Sequence, residues 1–216
     1  MNTNSSTGRL VQLFYEERLM KMIADFSNWR IDPFIRQMDA ARKKGRIFPF
    51  VRGLRLSAHL IYAIREILEG TSLKANWGQL VDRSGVFCSR ECDVVIHRDG
   101  HIGRWNGTEK PIMDFRFIEQ KQAVAVISCK SYLRSGNVDS EYCKLMKPFV
   151  KKIWLFAECC SPQSVKNIRD KALRFGYKKF WYLYTWSKQK DLEPNKDGWK
   201  EFVKEVRNLD KEHLEK

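Results

Sequence analysis

The chain has 216 residues, 43% of them hydrophobic and 12% aromatic, which suits one packed domain with an appendage and argues against a wholly disordered polymer. Its 40 Lys and Arg outnumber 26 Asp and Glu, giving a formal net charge of +14 and a pI near 9.6; that excess favours polyanionic partners, because neutralising phosphates releases condensed counterions. No run reaches the ~18 apolar residues needed to span a bilayer, and the polar stretch Met1 to Gly8 lacks the apolar segment of a secretory signal, so a cytoplasmic protein is expected.

In chain order, residues 9–44 read as helical, because Leu10, Leu13, Phe14, Leu19, Met20, Ile23 and Phe26 recur at helical spacing. A break falls at Asp32-Pro33, since the residue before proline avoids the helical region. This segment, residues 1–48, is expected to be a helical arm that packs on the domain, mediates dimerisation or assembly into a complex, or does both. The core, residues 49–190, opens with a helix whose stripe is Leu56, Leu60, Ala63, Ile64, Ile67 and Leu68, stopped at Gly70. Residues 77–87 form a strand with a turn at Arg83-Ser84-Gly85, and Cys92 to His97 a second one closed by Asp99-Gly100. Residues 100–115 carry Gly103, Gly107 and Pro111 and read as a loop. Strands follow at Phe115–Ile118 and at Ala123–Cys129, the latter apolar enough for a sheet interior.

Val138 to Val150 reads as a helix and Lys152–Glu158 as another buried strand. Ser161-Pro162 then offers an N-cap and a first-turn proline for a helix that Gly176 stops. Lys179–Trp186 is the last strand of the core, and a charged amphipathic helix closes the chain within residues 191–216. Helix, three or four strands, helix, strand, helix, strand, helix: the order describes an α/β fold with a mixed central sheet flanked by helices.

The chemistry centres on Asp93, in ECDVVIHRDG, and Lys130, in AVAVISCKSYL. An αβββαβ order with an aspartate on a central strand and a later strand ending x-K resembles the PD-(D/E)XK, or restriction-endonuclease-like, nuclease superfamily. More narrowly, Arg52-Gly53, Ser89, Asp93 to Ile96 and Ala125 to Ser131 resemble a group of bacterial domains of that superfamily with the pattern R-G, S-x-x-x-D-[IV]-[IV]-[IV] and A-V-I-E-x-K-S. The resemblance covers roughly residues 50–160. It implies a metal-dependent nuclease acting on DNA, with a role in bacterial defence against phage. Such hydrolysis needs a hard divalent cation, Mg²⁺ or Mn²⁺, held by oxygen ligands. In the family's pattern Asp93 is the central ligand, the acid two residues before the lysine the second, and the carbonyl of Cys129 the third, while Lys130 activates water and offsets developing charge. Strand alternation is expected to put positions 128 and 130 on one face.

The acid position holds Ser128 instead. In some restriction enzymes of the superfamily a serine stands there and a glutamate from the next helix takes over, which would be Glu141; family members also place an acid on the first core helix, here Glu66. The competing reading is a catalytically silent module that binds nucleic acid or assembles into a larger complex. A purely protein-interaction domain fits poorly with the +14 charge. Candidate nucleic-acid contacts are Arg52, Arg55, Arg104 with Trp105, Lys144, Lys147, Lys151 and Lys152. A zinc module at Cys88, Cys92, His97 and His101 has suggestive spacing, but alternation along the Cys92–His97 strand points two of the ligands to opposite faces. The six cysteines contain no CxxC pair and are expected to remain thiols.

Overall fold

The computed structural model describes residues 15–25, 50–98, 101–104, 115–187 and 190–214. The predicted break at Asp32-Pro33 and the loop around Trp105 lie outside them. Helix α1 (residues 15–25) is followed by α2 (Phe50–Ile67), β1 (Lys74–Val81), β2 (Phe87–His97), β3 (His101–Arg104), β4 (Phe115–Glu119), β5 (Ala123–Leu133), α3 (Ser140–Met146), β6 (Lys152–Cys160), α4 (Val165–Phe175), β7 (Lys179–Ser187), β8 (Lys190–Pro194) and α5 (Lys196–Leu214). The strands form one mixed sheet in the order β3-β4-β1-β2-β5-β6-β7-β8. Its centre, β5, β6 and β7, is parallel, linked by crossovers through α3 and α4. The expected mixed sheet flanked by helices is the fold observed.

Each face of the sheet carries its own apolar layer. The stripe Leu56, Leu60, Ala63, Ile64 and Ile67 of α2 packs with Leu19, Met22 and Ile23 of α1, with Trp199, Phe202 and Val206 of α5, and with Val94, Ile127, Phe156 and Trp181 of the sheet. Helices α3 and α4 cover the opposite face through Tyr142, Cys143, Met146, Ile168 and Ala172, against Cys92, Val95, Val126 and Leu155. Trp154 and Trp181 meet edge to face at 5.3 Å, and Trp181 and Phe202 at 5.2 Å. Such pairs add to what burial of the rings alone supplies. Helix α1 is tied to α5 by the indole N–H of Trp199, which donates to the Tyr15 carbonyl at 2.8 Å. The part of the N-terminal arm in view therefore packs on the domain.

Several boundaries differ from the sequence reading. Residues 101–104 form β3, paired antiparallel with β4, where glycines suggested only loop. The first-turn proline at Ser161-Pro162 begins a short 3-10 turn, Pro162–Ser164, and α4 starts three residues later than expected. The helix expected over Val138–Val150 shortens to Ser140–Met146, its start fixed by Asp139, whose carboxylate accepts from the backbone N–H groups of Glu141 and Tyr142. Strand β8 had no clear signal, because Pro194 and the charged Lys190, Asp191 and Glu193 suit an edge strand rather than an apolar run. Gly70 and Gly176, at φ of +80° and +106°, end their helices as expected, in a conformation other residues adopt only under strain.

Candidate active site

One feature of the sheet positions the aspartate. Between the pairs Asn76–Val95 and Gly78–Cys92, β2 contains one residue more than β1. The result is a β-bulge at Asp93-Val94 opposite Trp77, and bulges of this kind re-aim a side chain beside active sites. Its consequence is visible in the core: Cys92 and Val94, two apart, belong to opposite faces. Asp93 is thereby turned into a pocket of about 360 Å³ lined by Leu54 and Ser57 of α2, Trp77 of β1, Glu91 and Asp93 of β2, Cys129 to Tyr132 of β5, and Asn137.

The Asp93 carboxylate accepts the backbone N–H of Cys129 at 2.7 Å through Oδ2. Burial raises its pKa above the ordinary carboxylate value; the Cys129 N–H and the charge of Lys130 oppose the rise, and Glu91 adds to it. Glu91, at the mouth of the same pocket, accepts the indole N–H of Trp77 at 2.7 Å through Oε1. Among the described residues, each of the two acids thus has one oxygen fixed by an N–H donor and no hydrogen bond given to the other oxygen. Ser57 of α2 hydrogen-bonds the Cys129 thiol, which burial pushes well above its ordinary pKa. Burial likewise pushes Cys92 up to about 12.

The residues singled out in the sequence divide sharply. Asp93, Cys129 and Lys130 line one pocket. Ser128 does not: it is 1% exposed, and its hydroxyl hydrogen-bonds Tyr177 on the α3–α4 side. The expected shared face of positions 128 and 130 fails because alternation lapses past Cys129. Cys129 and Tyr132 both pack toward α2, while Leu133 turns to the other layer. Glu141 does not line the pocket either; it is exposed and pairs with Arg90 at 3.5 Å. Glu66 is held by Arg18 at 3.2 Å, again away from the pocket.

Among the basic candidates, Arg55 is committed to the fold. Its guanidinium donates to the Asp25 carbonyl at 2.7 Å and is attracted by the buried Glu158, so the expected phosphate contact gives way to a tie between α1, α2 and β6. Lys147 and Lys151 are exposed in the connection between α3 and β6, outside the pocket lining. Arg52 lies on the first turns of α2 and Arg104 on β3, opposite Arg116 of β4. Of the residues with zinc-like spacing, His97 is buried, with its Nε2 2.9 Å from the Asn76 side-chain oxygen, and no group of three or more metal-ligating side chains occurs among the described residues. Glu91 and Trp77 join the site through the fold: the E-C-D run sets the two acids two residues apart, and a bulge cannot be read from that spacing.

No protein-family model matches the sequence, and no curated protein does. Among solved structures, the chain is similar to E. coli MS115-1 NucC in its cAAA-bound form, with a TM-score of 0.60 at 12% identity over 91% of this chain and 89% of that one. It is also similar to P. aeruginosa ATCC27853 NucC, cAAA-bound, with a TM-score of 0.57 at 12% identity over 99% of this chain and all of that one. Likeness at this identity speaks to architecture: the chain is built on the mixed α/β fold of the NucC nucleases.

Proposed function

We propose that this protein is a metal-dependent phosphodiesterase that cuts DNA, acting in anti-phage defence as its structural neighbour NucC, a PD-(D/E)XK-type nuclease, does. One observation carries the reading: Asp93, Glu91 and Lys130, two acids and an ammonium group, line a single pocket in a strongly basic protein. The donor set fits a hard cation. Two carboxylates, each with an uncommitted oxygen, suit Mg²⁺ or Mn²⁺, which take few protein ligands and keep waters or phosphate oxygens for the rest. Asp93 and Glu91 would hold the ion, with the Cys129 carbonyl as a further oxygen donor; Glu91 thus takes the part the family pattern gives to position 128. When bound, such an ion polarises the phosphate and supplies hydroxide near neutral pH.

The chain's own groups do the positioning. The Cys129 N–H and the Trp77 indole fix the two carboxylates, as supporting donors do in metal sites. Lys130 offsets negative charge building on the phosphate. Leu54 and Ser57 of α2 wall one side of the pocket.

Cleavage of supercoiled plasmid and of single-stranded DNA, with and without Mg²⁺ or Mn²⁺, tests the proposal against Asp93→Ala, Glu91→Gln and Lys130→Ala. Cation-dependent cleavage that all three substitutions remove, with DNA binding retained, is the expected result. The burial of Ser128 away from the pocket favours the second reading, a silent nucleic-acid-binding module. Salt-sensitive DNA binding with no cleavage under any of these conditions establishes that reading instead.

A further inference from the structure

The end of β5 suggests how the site grips its substrate. Tyr132 lines the pocket. Arg134 places its guanidinium 5.3 Å over the Tyr132 ring, and Trp186 of β7 meets the same ring edge-on, at 6.5 Å and 85°. Three observations separate this cluster from ordinary surface. Trp154, Trp181 and Trp199 are sealed in the core, whereas Trp186 is 39% exposed. Arg90 is tied to Glu141, Arg83 to Glu119 and Arg55 to a backbone carbonyl, whereas Arg134 rests on an aromatic ring beside the pocket. Finally, Tyr132 follows Lys130 by two residues on β5 and lines the same pocket, and Arg134 stands just past the end of that strand.

Aromatic faces and a stacked guanidinium are the chemistry by which proteins hold unpaired bases and the phosphates between them. Resting on the nuclease reading, we propose that Tyr132, Arg134 and Trp186 form a grip for an unpaired nucleotide next to the scissile phosphate: Trp186 stacks on the base, and Arg134, braced on Tyr132, takes the flanking phosphate. The preferred substrate is therefore single-stranded DNA, or duplex with a base extruded near the cut.

The test is fluorescence anisotropy of the full-length protein with two labelled single-stranded oligonucleotides of equal length, one base-bearing and one abasic, in the absence of divalent cation. Cleavage of the same oligonucleotides with Mg²⁺ is followed separately. The parent is expected to bind the base-bearing strand about tenfold more tightly. Trp186→Leu should reduce that ratio to about one while Trp186→Phe keeps it. Arg134→Gln should lower the slope of log affinity against log salt by about one, for both strands. Equal binding of the two strands by the parent overturns the grip, and so does a Trp186→Leu variant that weakens both strands equally and keeps the ratio. Cleavage without base preference removes the grip and leaves the nuclease reading standing. Base preference without cleavage does the reverse, and absence of any binding or cleavage removes both.

Discussion

Asp93 and Glu158 are both carboxylates on inner strands of the same sheet, and both are taken out of water by it. Glu158, on β6, is 3% exposed, accepts the Tyr184 hydroxyl at 2.6 Å and attracts the Arg55 guanidinium. Both of these partners tie elements of the fold together. Asp93, on β2, is answered by one backbone N–H and one ammonium group, and it faces a pocket that a second acid shares. Burial alone thus does not single out a candidate ligand; the proposal for Asp93 rests on the opening beside it and on the second acid that shares that opening.

Substitutions at the two acids should separate along the same line. Asp93→Ala is expected to lower Mg²⁺-dependent plasmid cleavage by at least about 10³-fold with little loss of stability, since a cation ligand and its charge go together. Glu158→Ala should do the opposite, costing about 1–3 kcal/mol in urea unfolding because it strands the buried Tyr184 hydroxyl, while the fraction that remains folded still cuts. If Glu158→Ala instead abolishes cleavage at unchanged stability, the division between the two regions collapses.

Ser128→Glu sharpens the contrast from another side. It rebuilds the motif acid in sequence, but position 128 faces Tyr177 in a closed layer. The expected outcome is destabilisation by several kcal/mol on chemical denaturation and no gain in cleavage; a gain would show that position 128 reaches the pocket. Trp77→Phe, which removes the N–H held by Glu91, should weaken cation affinity about tenfold by calorimetry.

The smallest effect concerns pH. Because the Asp93 pKa is raised in the folded state, its protonated form is favoured by folding. Its contribution to stability is full below the unfolded value and is lost as pH rises through the folded one. Asp93→Asn should therefore stabilise the protein more at neutral pH than in acid, read from urea unfolding at both. Cation affinity of the parent should run the other way, falling as pH drops through that raised pKa, because protons compete with the ion for the carboxylate.

Much of this protein is written locally. The stripe of α2, the apolar runs of β5, β6 and β7, and the glycines at positions 70 and 176 each state their structure within a few residues, because periodicity and backbone freedom are properties of short segments. Charge and the Asp93–Lys130 pairing were also legible, and the structure brings both side chains to one pocket. What the sequence could not decide was which other residues join them. Glu91 enters, while Ser128, Glu141 and Glu66 stay out, because one extra residue in β2 and a lapse of alternation in β5 change which way side chains point. Both irregularities arise from the register between strands far apart in the chain, and register is fixed only when the sheet is assembled.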